Sequence, residues 1–118
     1  MVRKFEDLKV WKEAMNLAFE IYSSVNTLND FILKQQIVRA AISIPSNIAE
    51  GFDRQTNKEF IQYLHIAKGS CAELRTQLYL SKKLELVEVE VIESSIEKTK
   101  KISAMLYNLI KTRKEKFK

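Results

Sequence analysis

The residues best suited to acid–base or nucleophilic chemistry are the single histidine, His65, and the single cysteine, Cys71. A di-iron bundle places a glutamate three residues before such a histidine, and the residue in that position here is Gln62. Six residues separate His65 from Cys71, which turns them about 240° apart around a helix, so one subunit cannot pair them as base and nucleophile. We interpret His65 as a surface or packing residue and Cys71 as a small core residue.

The remaining sequence carries no catalytic or metal-binding motif. It has no glycine-rich phosphate loop and no Cys/His spacing typical of a metal site. Its carboxylates lie mostly among lysines, as on solvated helix surfaces. We therefore expect a protein that is not an enzyme and that needs no cofactor and no metal. A cluster of carboxylates lining a pocket would favour the alternative, an enzyme.

Polar residues recur with helical spacing inside two apolar segments. Arg39, Ser43 and Asn47 step by four, and a second polar series begins at Ser70. A half-buried arginine needs a carboxylate partner. We expect a structural polar network that fixes helix register, with a binding site as the alternative. The network is predicted to contain Arg39, Ser43, Asn47, Glu50, Ser70 and Glu73, with Glu73 as the first candidate partner of the arginine and Glu50 as the second.

Positive charge is concentrated at the C-terminus. The chain has a formal net charge of +5, and residues 98–118 contain eight basic residues and one acid. A cationic track beside aromatic residues, here Tyr107 and Phe117, is typical of nucleic-acid binding. Helix-dipole complementarity and solubility also favour a lysine-rich helix end. The predicted phosphate contacts are Lys98, Lys101, Lys111, Arg113, Lys114, Lys116 and Lys118.

Four segments with apolar residues at steps of three and four must position these groups. The segments predict helices at about 6–24, 31–50, 57–83 and 88–114, followed by a basic end at 111–118. Thr56 to Glu59 matches a capping box, Pro45 predicts a kink or a break, and Gly51 resembles a left-handed cap. Short connectors predict an all-α, up-down-up-down four-helix bundle that forms one domain over residues 1–118.

The composition supports this architecture and limits the alternatives. Two glycines and one proline in 118 residues argue against sandwiches and barrels, which need many turns. One cysteine cannot form an intramolecular disulfide, and neither a signal peptide nor a long apolar run is present, so we expect a cytoplasmic protein that does not enter a membrane. The apolar rows are wider than one helix seam, which predicts self-association.

Three stretches carry a resemblance to a known family. They are residues 5–11, residues 66–74 and residues 39–51, the last with the core Ser-Ile-Pro-Ser-Asn-Ile-Ala-Glu-Gly. The sequence resembles the four-helix-bundle proteins encoded in intervening sequences of bacterial 23S ribosomal RNA genes. That family is similar to the accessory variability determinant of diversity-generating retroelements, a basic pentamer that binds nucleic acid and partners a reverse transcriptase. The resemblance implies a ring-like homopentamer, and we expect Gly69 to allow a close helix approach opposite the Pro45 bend.

These observations lead to one leading functional hypothesis. The chain is predicted to be a non-catalytic, homo-oligomeric nucleic-acid-binding module, with RNA as the favoured ligand, acting through phosphate contacts of a basic rim. The alternative is a protein-interaction scaffold that docks a partner such as a reverse transcriptase without binding nucleic acid directly.

Overall fold

The computed structural model describes residues 2–116, and all regular structure within them is helical. A short 3-10 turn at Phe5–Asp7 precedes four helices. Their bounds are α1 (Lys9–Ser24), α2 (Phe31–Phe52), α3 (Asn57–Lys83) and α4 (Val89–Lys116). The described chain measures 46 × 20 × 19 Å along its principal axes. The absence of strands from residues 2–116 confirms the prediction of an all-α fold.

Side-chain caps begin two of the helices. The Asp30 carboxylate accepts a 3.0 Å hydrogen bond from the Leu33 amide at the start of α2. The Thr56 hydroxyl accepts a 3.1 Å hydrogen bond from the Glu59 amide at the start of α3, as the capping box predicts. Both contacts satisfy amides that have no partner within the first helical turn.

The helices pack in a ring that follows their order in the chain. α1 contacts α2 and α4, and α3 contacts α2 and α4. Each helix buries a row of apolar side chains on a common core, including Leu17, Ile44, Leu74 and Leu106. The pair α1–α2 and the pair α3–α4 therefore form opposite sides of the bundle.

The structure excludes one of the two alternatives for Pro45, a break, and corrects two expectations about the glycines. α2 continues through Pro45 to Phe52, so the helix is not broken there. Gly51 is not a left-handed cap, because it lies inside α2 and has no positive φ. A Cβ at Gly51 would overlap the Cβ of Tyr63 on α3, so its small size permits close helix packing. A Cβ at Gly69 would meet nothing within 4 Å, so the expected close approach there is wrong.

Among the helices of residues 2–116, none combines the length and the apolar character that crossing a lipid bilayer requires.

Candidate nucleic-acid interface

Two of the predicted phosphate contacts, Lys98 and Lys101, pair with carboxylates of α1. Lys98 forms an ion pair with Glu20, and the Lys101 Nζ lies 2.8 Å from Glu13 Oε1. The hydrogen bond from Lys101 lowers the pKa of the Glu13 carboxyl below its ordinary value. The charges of both lysines are thus balanced within the bundle, where they join α4 to α1.

Arg113 fastens the end of α4 to the start of α3. Its Nε donates a 2.7 Å hydrogen bond to Asn57 Oδ1, and Asn57 Nδ2 donates a 3.0 Å hydrogen bond to the Arg113 carbonyl. The guanidinium carbon lies 4.9 Å from the centroid of the Phe60 ring, within the range of a cation–π contact. Burial lowers the pKa of Arg113. This arginine therefore acts in packing the two helix ends together.

Three predicted contacts remain exposed near the end of α4. Lys111, Lys114 and Lys116 extend into solvent, and none of the ion pairs formed within residues 2–116 includes them. Lys118, the seventh predicted contact, lies outside the described residues. The exposed lysines can approach a polyanion without first giving up a carboxylate partner.

Sequence reasoning missed a cationic groove between the last two helices. We call it the α3–α4 groove, and it is lined by Lys68, Arg75, Lys100, Ser103, Ala104, Tyr107 and Asn108. Arg75 donates from Nε to Thr99 Oγ1 at 2.9 Å and from Nη2 to the Thr99 carbonyl at 3.3 Å. Lys100 Nζ lies 3.1 Å from Glu97 Oε2, so these two residues form an ion pair. One sequence pattern could have indicated this groove. Lys100, Tyr107 and Lys111 follow each other at steps of seven and four, which places them on the same face of a helix.

Part of the predicted polar network joins α2 to α3. The Ser43 and Ser70 hydroxyls are 2.9 Å apart. Asn47 Nδ2 donates to Ser43 Oγ at 2.9 Å and to the Ser43 carbonyl at 2.8 Å. Glu50 stands apart from these groups, since it accepts a 3.0 Å hydrogen bond from the Tyr63 hydroxyl.

The arginine expected at the centre of that network is not paired with its predicted partner. Glu73 faces solvent, and no ion pair within residues 2–116 joins it to Arg39. Arg39 instead lines a groove together with Tyr22 of α1, whereas Ser43 contacts Ser70 of α3. The expectation of an arginine paired with Glu73 is therefore wrong.

The two residues considered first for catalysis lie in different environments. His65 is exposed on α3, whereas Cys71 is buried in the core. Burial raises the pKa of the Cys71 thiol to about 12, which keeps it protonated at neutral pH. Within the part of the chain that the structure describes, no cluster of three or more His, Cys, Asp or Glu residues could hold a metal ion.

The opposite side of the bundle carries an apolar groove. A groove between α1 and α2 is lined by Trp11, Met15, Phe19, Tyr22 and Ile42 among others, and we call this surface the α1–α2 face. The side chain of Phe19 is 75% exposed. Trp11 also packs edge-on against Phe5, with ring centroids 5.3 Å apart. A contiguous apolar surface of this kind is typical of a contact with another protein chain.

The fold and its surfaces define a small, antiparallel four-helix bundle with an apolar groove between α1 and α2 and a cationic groove between α3 and α4. The chain belongs to the 23S rRNA-intervening sequence protein family, whose model matches residues 6–108. It is similar to the crystal structure of a protein of unknown function from the S23 ribosomal protein family of Bacteroides thetaiotaomicron, with 31% sequence identity and a TM-score of 0.82. That similarity covers 87% of this chain and 99% of the other. No curated protein matches this chain.

Proposed function

We propose that this protein is a non-catalytic nucleic-acid-binding module that contacts phosphates through its α3–α4 side and prefers RNA. The observation that carries the proposal is that three cations and no carboxylate line the α3–α4 groove. Lys68, Arg75 and Lys111 have no carboxylate within ion-pair distance among residues 2–116, whereas Lys98 and Lys101 are paired on the α1 side. An unpaired cation binds a phosphate without the cost of breaking an existing ion pair.

The proposal shifts the interface from the helix end alone to one side of the bundle. Lys111 and Lys114 continue the α3–α4 groove toward the C-terminus along α4, and Lys116 lies beyond them at the helix end. Arg75 is held in place by its two hydrogen bonds to Thr99, which reduces the conformational entropy cost when it meets a phosphate. Contacts of this kind position a polyanion and carry no sequence information themselves.

We also propose that copies of the chain associate through the α1–α2 face. The exposed side chains of Met15, Phe19, Tyr22 and Ile42 support this, because their burial removes apolar surface from water. The family resemblance supports a ring-like homopentamer, with a bend of α2 at Pro45 contributing to the shape of the face. Such an assembly would direct every α3–α4 side outward and multiply weak phosphate contacts.

Light scattering tests the assembly. The intact chain should give a mass several times that of one subunit at micromolar concentration, and Phe19→Ser should lower that mass while circular dichroism stays helical. A monomeric mass for the intact chain at these concentrations contradicts the proposed association.

Fluorescence anisotropy of a labelled structured RNA tests the binding function. A triple variant with Lys111, Lys114 and Lys116 changed to glutamine should bind more weakly. Its plot of log affinity against log salt should be shallower, by about 0.7–0.9 for each phosphate that the variant no longer neutralises. The matched control changes Lys4, Lys9 and Lys12 to glutamine, which removes the same charge from exposed positions outside the proposed surface. Equally weakened binding in both triple variants, or no binding by the intact protein at low salt, would contradict the proposal.

The second candidate function is a protein-interaction scaffold, and the apolar α1–α2 face favours it. In that case the face would dock a partner such as a reverse transcriptase, as the resemblance to the retroelement accessory protein implies. Substitution of Phe19 would then abolish partner binding, while the lysine variants would have no effect. RNA binding that depends on the α4 lysines would favour the nucleic-acid-binding function over the scaffold.

A further inference from the structure

Tyr107 is an exposed aromatic residue within the cationic groove. Its side chain is 58% exposed, and it lines the α3–α4 groove together with Lys68 and Lys100. Lys100 lies seven residues before it and Lys111 four residues after it, which places all three on one side of α4. A ring on this polar surface contributes little to the packing of the core, so core packing does not explain why a tyrosine lies here.

We infer that the α3–α4 groove binds an unpaired segment of nucleic-acid strand, with Tyr107 stacking on a base while the surrounding cations hold the adjacent phosphates. This inference rests on the proposed nucleic-acid-binding function and names the form of the ligand. In a duplex each base is covered by its neighbours, so an exposed ring has no base face to meet. In an unpaired strand every base offers such a face, and aromatic rings in basic grooves exploit it.

The dimensions of the groove suit a single strand that runs along the helices. Lys100 and Lys111 are separated by eleven residues, or about 16 Å along α4. Lys68 and Arg75 are separated by seven residues, or about 10 Å along the antiparallel helix α3. Cations therefore lie on both helices and on both sides of the Tyr107 ring, as a backbone that passes the ring requires.

The other groups in the groove are compatible with this ligand. Ser103 and Asn108 add a hydroxyl and an amide that can bond to sugars or base edges, and no carboxylate is among the lining residues. The nearby carboxylate of Glu97 is paired with Lys100 at 3.1 Å, which reduces its repulsion of a phosphate. Because Arg75 is oriented by the Thr99 hydroxyl and carbonyl, it remains fixed at the groove wall.

Anisotropy titrations with two probes test the inference. The probes are a short unstructured RNA strand and the duplex that it forms with its complement. Tyr107→Leu should weaken binding of the single strand roughly 5- to 150-fold, the effect expected for one stacked base. The same change should leave duplex binding nearly unchanged, and Tyr107→Phe should retain single-strand binding because it keeps the ring.

The outcomes separate this inference from the function on which it rests. If Tyr107→Leu changes the binding of both probes equally, or of neither, the stacking role is refuted. Salt-dependent binding that still requires Lys111, Lys114 and Lys116 would then leave the proposed function intact. If neither probe binds the unaltered protein at low salt, both proposals are refuted.

Discussion

Replacing each of the two glycines by alanine should change the stability of the protein in opposite directions. Gly51 and Gly69 both lie inside helices, so the same substitution removes the same backbone freedom from the unfolded chain. The two sites differ in what a new Cβ would meet. At Gly69 it meets nothing within 4 Å, and at Gly51 it overlaps the Cβ of Tyr63 and approaches Phe60 Cδ1 to 3.2 Å.

The expected magnitudes follow from these surroundings. Gly69→Ala should raise the free energy of unfolding by about 0.5–1 kcal/mol, the usual gain of helix propensity at an unobstructed site. Gly51→Ala gains less from helix propensity, because Gly51 lies near the end of α2. The new Cβ must also push α2 away from α3. The Tyr63 Cβ is attached to the α3 backbone and cannot rotate aside, so the overpacking cost of about 1–3 kcal/mol applies. Gly51→Ala should therefore be the less stable variant by about 1–4 kcal/mol.

Urea unfolding followed by circular dichroism measures this difference. The three proteins are compared at one protein concentration, because association makes apparent stability depend on concentration. The same difference should appear as melting temperatures several degrees apart, at about 3–5 °C per kcal/mol for a chain of this size. If Gly51→Ala were as stable as Gly69→Ala, the close approach of α2 to α3 would be refuted.

Three further substitutions probe contacts between helices. Ser43→Ala removes the hydroxyl that joins α2 to α3 and should lower the free energy of unfolding by about 1 kcal/mol in urea titrations. Glu13→Gln should lower the melting temperature at pH 7. Because Lys101 lowers the pKa of Glu13 in the folded chain, its stabilisation is present at neutral pH and is lost as the pH falls below the ordinary value of 4.5. The Glu13→Gln deficit should therefore vanish in acid. Arg113→Gln should release the end of α4 and speed amide hydrogen exchange in its last turns.

Each of these predictions has a clear contrary result. An unchanged urea midpoint for Ser43→Ala would show that its hydroxyl contributes nothing to holding α2 on α3. A melting-temperature difference for Glu13→Gln that is constant from pH 7 to acid would refute the ion-pair explanation. Unaltered exchange at the end of α4 in Arg113→Gln would mean that its contacts with α3 do not restrain that end.

Helix positions were predictable from the sequence because their signals are local. The predicted segment 57–83 coincides with α3, which begins after the Thr56 cap and ends at two lysines that suit the helix dipole. The predicted end of α2 fell two residues short, because Gly51 was interpreted as a cap. Whether a glycine ends a helix or admits a neighbouring one depends on the partner helix, and no local pattern contains that information.

The candidate site was only partly predictable, because the rotation of α4 decides where each cation points. Lys100 and Lys101 are neighbours in the chain, yet one lines the α3–α4 groove and the other pairs with α1. Successive residues differ by about 100° around a helix. A cluster of lysines in the sequence therefore shows how much charge the helix carries but not toward which neighbouring helix each lysine points. The contributions of Lys68 and Arg75 depend on the packing of α3 against α4, which the C-terminal cluster does not reveal.

The buried thiol of Cys71 is a built-in probe for the opening of the core. It has no exposed surface, and its pKa of about 12 leaves almost no thiolate at neutral pH, so a thiol-specific reagent can modify it only after the core opens. When modification is faster than reclosing, the rate of modification equals the rate at which the core opens, and when it is slower it reports the population of the open form. Comparing the rate of Cys71 modification with and without RNA, or at low and high protein concentration, would measure how much RNA binding or assembly slows that opening.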